Sequence, residues 1–135
     1  MHKAIFLDRD GVINPLIERE NGDLTSPWFV KEFKPFPNVK SSIQKMKDNG
    51  YKVFVVTNQP GVLDGDMMMT DLDDMCGMLE DQYGVDHVLY ALKRETKFYK
   101  PNNGMIEVLI DCYEIDRENS FMVGDRWKDI VAGNM

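Results

Sequence analysis

Two short motifs, one near each end of the chain, place aspartates directly after apolar runs. Asp8 and Asp10 flank an arginine after the first run, and Asp125 follows the last run, with Asp129 four residues later. Carboxylates that lie close together raise one another's pKa values unless a counter-charge is present. A hard divalent cation supplies that charge, and Mg²⁺ favours a few carboxylates together with water and phosphate. The spacing therefore indicates a Mg²⁺ site that could also offer a carboxylate nucleophile.

Two further motifs add groups that can hold a phosphate. Thr57 and Asn58 follow the central apolar run, and Lys100 stands directly before Pro101. A lysine is a point charge suited to a phosphoryl oxygen, and a hydroxyl and main-chain N–H groups after a strand can bind the same anion. Together with a carboxylate and a metal, these groups predict phosphoryl transfer through an aspartyl-phosphate.

The elements that position these motifs alternate between strand and helix. The predicted strands span 4–7, 51–56, 87–92 and 120–123, and the predicted helices span 39–49, 70–83 and 101–113. Such alternation favours a parallel α/β sheet, whose ligand site lies at the carboxyl ends of the strands. Thr70 is the expected N-cap of the second helix, with Asp73 at the capping-box spacing. The proline-containing stretch 14–38 is predicted to be an irregular loop.

Length, charge and cysteine content restrict the class of protein. With 135 residues, 43% hydrophobic and 29% charged, the chain is expected to form one domain over 1–135. The net charge of −7 argues against nucleic-acid and anionic-membrane partners, which need a basic face. Two distant cysteines indicate neither a disulfide framework nor a zinc cluster. Without a signal peptide or a spanning segment, a cytoplasmic protein is expected, and its small size fits a monomer.

The four motifs, in this order, resemble those of the haloacid dehalogenase superfamily of phosphohydrolases. The resemblance covers residues 4–135 and rests on Asp8-x-Asp10-Gly11-Val12-Ile13, Thr57-Asn58, Lys100-Pro101 and Gly124-Asp125-x-x-x-Asp129. It implies an α/β fold with a three-layer, Rossmann-like parallel sheet and no inserted cap domain. It also implies that the family's last strand is missing, or that the chain is a shortened form of a longer product. The sequence stops within the helix that would lead to that strand.

The resemblance also assigns catalytic and metal-binding roles. Asp8 would be the nucleophile, and Asp10 would protonate the leaving oxygen and then activate the hydrolytic water. Mg²⁺ would be held by the Asp8 carboxylate, the Asp10 main-chain carbonyl and Asp125. Asp129 would orient the lysine or a metal-bound water, although a carboxylate in the first turn of a helix is an equally good interpretation.

The remaining motif residues would contact the phosphoryl group. The resemblance implies that Thr57 and Asn58 bind it and that Lys100 neutralises it together with Asp8. Each has a plainer interpretation as well: an ordinary turn for Thr57-Asn58, and a solvated surface lysine for Lys100. Arg9 is left open between a substrate contact and a solvated surface charge.

The first two motifs look closest to the D,D-heptose 1,7-bisphosphate and histidinol-phosphate phosphatase branch. Its members commonly carry a zinc loop of cysteines and histidines before the lysine, but residues 91–98 contain neither, so no zinc is expected. Tyr99 stands where an arginine usually precedes the lysine, and Asp64 replaces another arginine. The expected substrate is a small sugar phosphate, similar to a heptose bisphosphate.

Three alternatives remain open. The chain could be a nucleic-acid 3′-phosphatase of the same superfamily, although the acidic balance argues against a groove that grips a strand. It could be a truncated member that binds phosphate without turnover. A phosphoaccepting receiver domain is disfavoured. Its phosphorylated aspartate would end a middle strand, whereas Thr57 ends the second predicted strand and no aspartate closes the third.

Overall fold

The computed structural model describes residues 1–124 of the chain. The strands are β1 (Lys3–Leu7), β2 (Ile17–Glu18), β3 (Leu24–Thr25), β4 (Tyr51–Asn58), β5 (His87–Ala91) and β6 (Phe121–Val123). The α-helices are α1 (Val39–Asp48), α2 (Met69–Asp81) and α3 (Gly104–Tyr113), with short 3₁₀ turns at Val30–Glu32 and Arg117–Asn119. No helix within residues 1–124 has the length and apolar character needed to cross a bilayer.

Four strands form one parallel sheet in the order β5-β4-β1-β6. Residues 4–7 of β1 and 53–56 of β4, the two central strands, are wholly apolar, as strand segments covered on both faces require. Neighbours along the chain point to opposite faces, so Val53 and Val55 of β4 enter one core and Phe54 and Val56 enter the other.

Each face of the sheet is covered by helices. On one face α1 contributes Ile43, and α2 contributes Leu72, Met75 and Leu79. On the other face α3 contributes Met105, Ile106 and Leu109. The predicted α/β fold with helices on both sides of a parallel sheet is therefore confirmed. The prediction that the last strand of the family is missing concerns the end of the chain, outside the described residues.

Several boundaries differ from the sequence-based prediction. The stretch 14–38 contains the small antiparallel hairpin β2–β3, which has only two residues in each strand and therefore little periodicity to recognise. β4 extends through Asn58, because Thr57 and Asn58 still pair with β5.

The predicted N-cap of α2 is wrong. The helix begins at Met69 after the N-cap Met68, and Thr70 makes no capping hydrogen bond because it already lies within the first turn. The residue before the N-cap, Met67, ends the preceding turn. Its side chain is buried, and its main-chain N–H donates a hydrogen bond to the Gly61 carbonyl.

The helix α3 begins at Gly104, not at Pro101. Residues 101–103 instead form a turn in which the Asn102 N–H bonds to the Tyr99 carbonyl over 3.0 Å. The Gly104 N–H then bonds to the Lys97 carbonyl over 2.8 Å. This compact loop carries Lys100 towards the end of β1.

Candidate active site

A cavity of about 280 Å³ opens at the carboxyl ends of β1 and β4. It brings together the five predicted site residues that the structure describes. Its lining consists of Asp8, Asp10, Leu24, Thr25, Ser26, Trp28, Thr57, Asn58, Pro60, Gly61, Asp64, Asp66, Met67, Arg94, Tyr99 and Lys100. The position follows the rule for parallel sheets, in which loops after the strands form the ligand site.

Asp8 and Lys100 form a buried ion pair at this end of the sheet. Lys100 Nζ is 3.0 Å from Asp8 Oδ1, and the two side chains are 4% and 8% exposed. The same carboxylate oxygen accepts the main-chain N–H of Arg9 at 2.8 Å. Lys100 is therefore not a solvated surface lysine, and its charge stands where negative charge on Asp8 or on a phosphoryl group would lie.

Asp10 is buried and hydrogen-bonded on both carboxylate oxygens. Oδ1 accepts Arg9 Nε at 2.9 Å and Asn14 Nδ2 at 3.0 Å. Oδ2 accepts Ser26 Oγ at 2.7 Å and Gln59 Nε2 at 2.8 Å. Burial raises the pKa of Asp10, but the charge of Arg9 and these hydrogen bonds outweigh burial and hold the pKa below its usual value. Asp10 is therefore ionised in this arrangement.

Arg9 is neither a surface charge nor a lining residue of the cavity. Its side chain is fully buried and pairs with Asp10 through Nε. The guanidinium also lies 5.2 Å from the Phe33 ring centre and within 3.9 Å of Met75 Sδ. The interpretation of Arg9 as a solvated surface charge is wrong, because a buried carboxylate requires a nearby counter-charge and the adjacent residue supplies it.

Thr57 and Asn58 differ in what their side chains do. Thr57 is buried, and its hydroxyl accepts Gln59 Nε2 at 3.0 Å while lining the cavity. The Asn58 side chain bonds the backbone of Lys100 twice: Oδ1 accepts the Lys100 N–H at 2.9 Å, and Nδ2 donates to the Lys100 carbonyl at 3.1 Å. The Asn58 amide therefore fastens the loop that carries the lysine to the end of β4.

Three residues around Asp10 were missed as site residues. Asn14 and Gln59 are fully buried and adjoin the motifs, so their positions next to the predicted site were the available signal. Ser26 lies in the stretch 14–38, where no local pattern marks it. Among the described residues, Asn14 Oδ1 and Gln59 Oε1 are buried without a hydrogen-bond partner.

The rim of the cavity carries a second charged pair. Arg94 donates to both carboxylate oxygens of Asp64 at 2.8 Å, and both side chains are partly exposed. Hydrogen bonding to Arg94 lowers the pKa of Asp64, and the same pair raises the pKa of Arg94. Asp66 also lines the rim and adds another carboxylate there.

The donor set fits a hard cation. Asp8 and Asp10 present oxygen donors to the cavity, and no cysteine or histidine is found among the described lining residues. Oxygen ligands of this kind suit Mg²⁺. Residues 1–124 contain no cluster of three or more acidic, histidine or cysteine ligands. The third predicted ligand, Asp125, and its neighbour Asp129 lie outside the described residues.

Comparison with known proteins gives a consistent group of relatives. A family model described as polynucleotide kinase 3 phosphatase matches residues 8–132. A D-glycero-alpha-D-manno-heptose-1,7-bisphosphate 7-phosphatase from Photorhabdus laumondii is 31% identical over 97% of this chain and 76% of that protein. A D-glycero-beta-D-manno-heptose-1,7-bisphosphate 7-phosphatase from Pasteurella multocida is 34% identical, covering 98% and 76%.

A solved structure agrees with the fold. D,D-heptose 1,7-bisphosphate phosphatase from B. bronchiseptica, crystallised with magnesium and phosphate, superposes with a TM-score of 0.78 at 27% identity. The superposition covers 96% of this chain and 74% of that one. The similarity therefore extends over nearly the whole chain.

Proposed function

This chain belongs to the polynucleotide kinase 3 phosphatase family, within the heptose-bisphosphate branch of the haloacid dehalogenase phosphatases, and we propose that it is a Mg²⁺-dependent phosphomonoester hydrolase. It works through an aspartyl-phosphate on Asp8. The observation that carries this proposal is the buried Asp8–Lys100 pair, 3.0 Å long, in a cavity that Asp10 also lines. A buried carboxylate beside a cation and a second carboxylate is suited to accept and release a phosphoryl group.

In the first half-reaction Asp8 accepts the phosphoryl group. A carboxylate oxygen of Asp8 attacks phosphorus, the bond from phosphorus to the leaving oxygen breaks, and Asp10 gives that oxygen a proton. Lys100 stabilises the negative charge on the transferring group, and Thr57 lies in the same cavity to orient it. Asp10 must therefore take up a proton before this step, because it is ionised in the arrangement described here.

In the second half-reaction Asp10 acts as a base. It removes a proton from water, the water oxygen attacks the phosphorus bound to Asp8, and phosphate leaves as the Asp8 carboxylate is restored. Asp8, the Asp10 main-chain carbonyl and Asp125 would hold Mg²⁺, which would stabilise negative charge on the phosphoryl oxygens. Asp10 is a carboxylate at the start of this step, because it has given its proton to the leaving oxygen in the first half-reaction.

The substrate is proposed to be a small sugar phosphate. The curated relatives from Photorhabdus laumondii and Pasteurella multocida are named for heptose bisphosphates. The cavity of about 280 Å³ is slightly smaller than most small-molecule sites, which favours a small substrate over a large one. If the substrate carries a second phosphate, that phosphate would contact Arg94, the basic residue at the rim among the described lining residues.

A nucleic-acid 3′-phosphatase is the second candidate, because the matching family model is described by that activity. The charge of the molecule argues against it. The net charge is −7, and the described lining of the cavity contains four aspartates but only two basic residues. A groove that tracks a polyanion needs the opposite balance.

Phosphate release from p-nitrophenyl phosphate and a panel of sugar phosphates, with Mg²⁺ and with EDTA, tests the proposal. We expect metal-dependent turnover that falls at least about a thousandfold in Asp8→Asn, because the nucleophile is lost. Asp48→Asn is the matched control, since Asp48 ends α1 and its exposed carboxylate accepts a hydrogen bond from Gln44 Nε2, far along the chain from the site motifs. No turnover by the folded wild-type protein, or equal turnover in Asp8→Asn, would contradict the proposal.

A further inference from the structure

Ser26 reaches Asp10 from a separate part of the chain. Its Oγ lies 2.7 Å from Asp10 Oδ2, which is the shortest side-chain hydrogen bond described for that carboxylate. Ser26 directly follows β3 and also lines the cavity. The loop after the small hairpin therefore supplies a polar group to the residue that exchanges protons with the substrate.

A network centred on Arg19 fixes the backbone at Ser26. The Arg19 guanidinium donates to the Ser26 carbonyl at 3.2 Å and to Thr25 Oγ1 at 2.9 Å. It also donates to both carboxylate oxygens of Glu32, at 2.7 and 3.0 Å, and lies 3.6 Å over the Trp28 ring. Glu32 in turn accepts the Trp28 N–H at 2.9 Å. A planar guanidinium bonded on several sides holds its partners in one geometry.

We propose that Ser26 is a positioning residue that holds the Asp10 carboxyl group in the orientation needed for its part in the reaction. This inference rests on the proposed function. Among the other described partners of the carboxylate, Arg9 can only donate, and Asn14 and Gln59 contact it through their NH₂ groups. Ser26 is the one of these described partners that the hairpin loop supplies, so it links the Asp10 carboxyl group to the segment that Arg19 holds in place.

A carboxyl group that keeps one orientation presents the same oxygen to the leaving group in every turnover. Loss of the Ser26 hydroxyl should therefore weaken proton transfer to the leaving oxygen.

The test compares two substrates of nearly equal shape whose leaving groups differ in their need for a proton. Values of kcat/KM for p-nitrophenyl phosphate and for phenyl phosphate, with Mg²⁺, are measured for wild type, Ser26→Ala and Ser26→Thr. Phenolate is the more basic leaving group and depends more on Asp10. We expect Ser26→Ala to lower kcat/KM for phenyl phosphate about tenfold more than for p-nitrophenyl phosphate, as partial loss of acid catalysis would.

Ser26→Thr keeps the hydroxyl and is expected to keep the wild-type ratio of the two kcat/KM values. Ser41→Ala is the matched control, because the Ser41 hydroxyl is exposed and bonds the Asn38 carbonyl. An Ala variant in which both values fall by the same factor, or a Thr variant with the Ala ratio, overturns the inference while the proposed function stands. A wild-type protein that hydrolyses neither ester overturns both.

Discussion

Arg9 and Asp10 are neighbours in sequence and partners in space, and their pair lies in the interior. The 2.9 Å contact between Arg9 Nε and Asp10 Oδ1 is among the few charged contacts described with almost no exposure. Removing one member of such a pair leaves the other charge buried and uncompensated, which costs far more than losing an exposed pair. The positive charge of Arg9 therefore stabilises the ionised Asp10 carboxylate, on which the proposed proton transfers depend.

We predict that Arg9→Met lowers the free energy of unfolding by about 3–5 kcal/mol, because it leaves the Asp10 carboxylate buried without its counter-charge. Urea denaturation measures this change. Arg117→Met is the control, since Arg117 and Glu107 form an exposed pair whose loss should cost about 1 kcal/mol or less. Equal losses in the two variants would show that the buried pair contributes no more than a surface one.

The pair of Arg94 and Asp64 controls the charge at the rim of the cavity. Asp64 holds the guanidinium by two bonds of 2.8 Å, and Asp66 adds a further negative charge. A second phosphate on a substrate must compete with Asp64 for Arg94. We predict that Asp64→Asn raises kcat/KM for a sugar bisphosphate several-fold relative to the matching monophosphate, and that Arg94→Gln lowers the same ratio.

Fructose 1,6-bisphosphate and fructose 6-phosphate are suitable probes for this comparison. Lys93→Gln serves as the control, because Lys93 adjoins Arg94 in sequence but is exposed and does not line the cavity. Ratios that stay at the wild-type value in both rim variants would show that the distal part of the substrate does not reach this pair.

At the scale of the elements, the loop before α3 decides where Lys100 lies. Gly104 closes this loop with a hydrogen bond of 2.8 Å to the Lys97 carbonyl. A Cβ at position 104 would lie 2.3 Å from the Lys97 carbonyl oxygen and 2.8 Å from its carbon. These are backbone atoms, so the loop would have to open, and the lysine that it carries would move with it.

We predict that Gly104→Ala lowers the free energy of unfolding by about 1–3 kcal/mol through overpacking and reduces phosphatase activity by displacing Lys100. Gly77→Ala is the matched control. Position 77 lies within α2 with open space around a Cβ, so alanine there should stabilise by about 0.5–1 kcal/mol. A Gly104→Ala enzyme with wild-type stability and activity would show that the close approach is not needed.

For the whole molecule, the acidic surface separates the two candidate substrates. A net charge of −7 repels a polyanion, and salt screens that repulsion. We predict that kcat/KM for a 3′-phosphorylated single-stranded oligonucleotide does not fall as salt rises from about 50 mM to about 200 mM. An enzyme that grips a strand through a basic groove loses affinity steeply over that range.

Measuring the oligonucleotide beside a sugar phosphate, in the same buffers, completes this comparison. A sugar phosphate should be the better substrate by kcat/KM at both salt concentrations. A steep loss of oligonucleotide turnover with salt, together with a preference for the oligonucleotide, would instead favour the nucleic-acid 3′-phosphatase.

The alternation of strands and helices and the motif residues of the site could be predicted from the pattern of residues along the chain. The apolar runs identified the four strands of the sheet, because strands of a parallel sheet that lies between helices are rich in apolar residues. Asp8, Asp10, Thr57, Asn58 and Lys100 could be predicted because their order and spacing form a pattern, and the ends of parallel strands meet at one edge.

The groups that surround these residues depend on the tertiary structure and could not be predicted from the sequence. Arg9 is a buried counter-charge for Asp10, and Asn58 hydrogen-bonds the Lys100 backbone. Ser26 contacts Asp10 from the loop after the hairpin. Hydrogen bonds between distant segments leave no periodicity in either segment, and burial of one polar group is settled by the partners that the fold brings to it. The chemistry of the site was therefore readable from local spacing, whereas its electrostatics arose from packing.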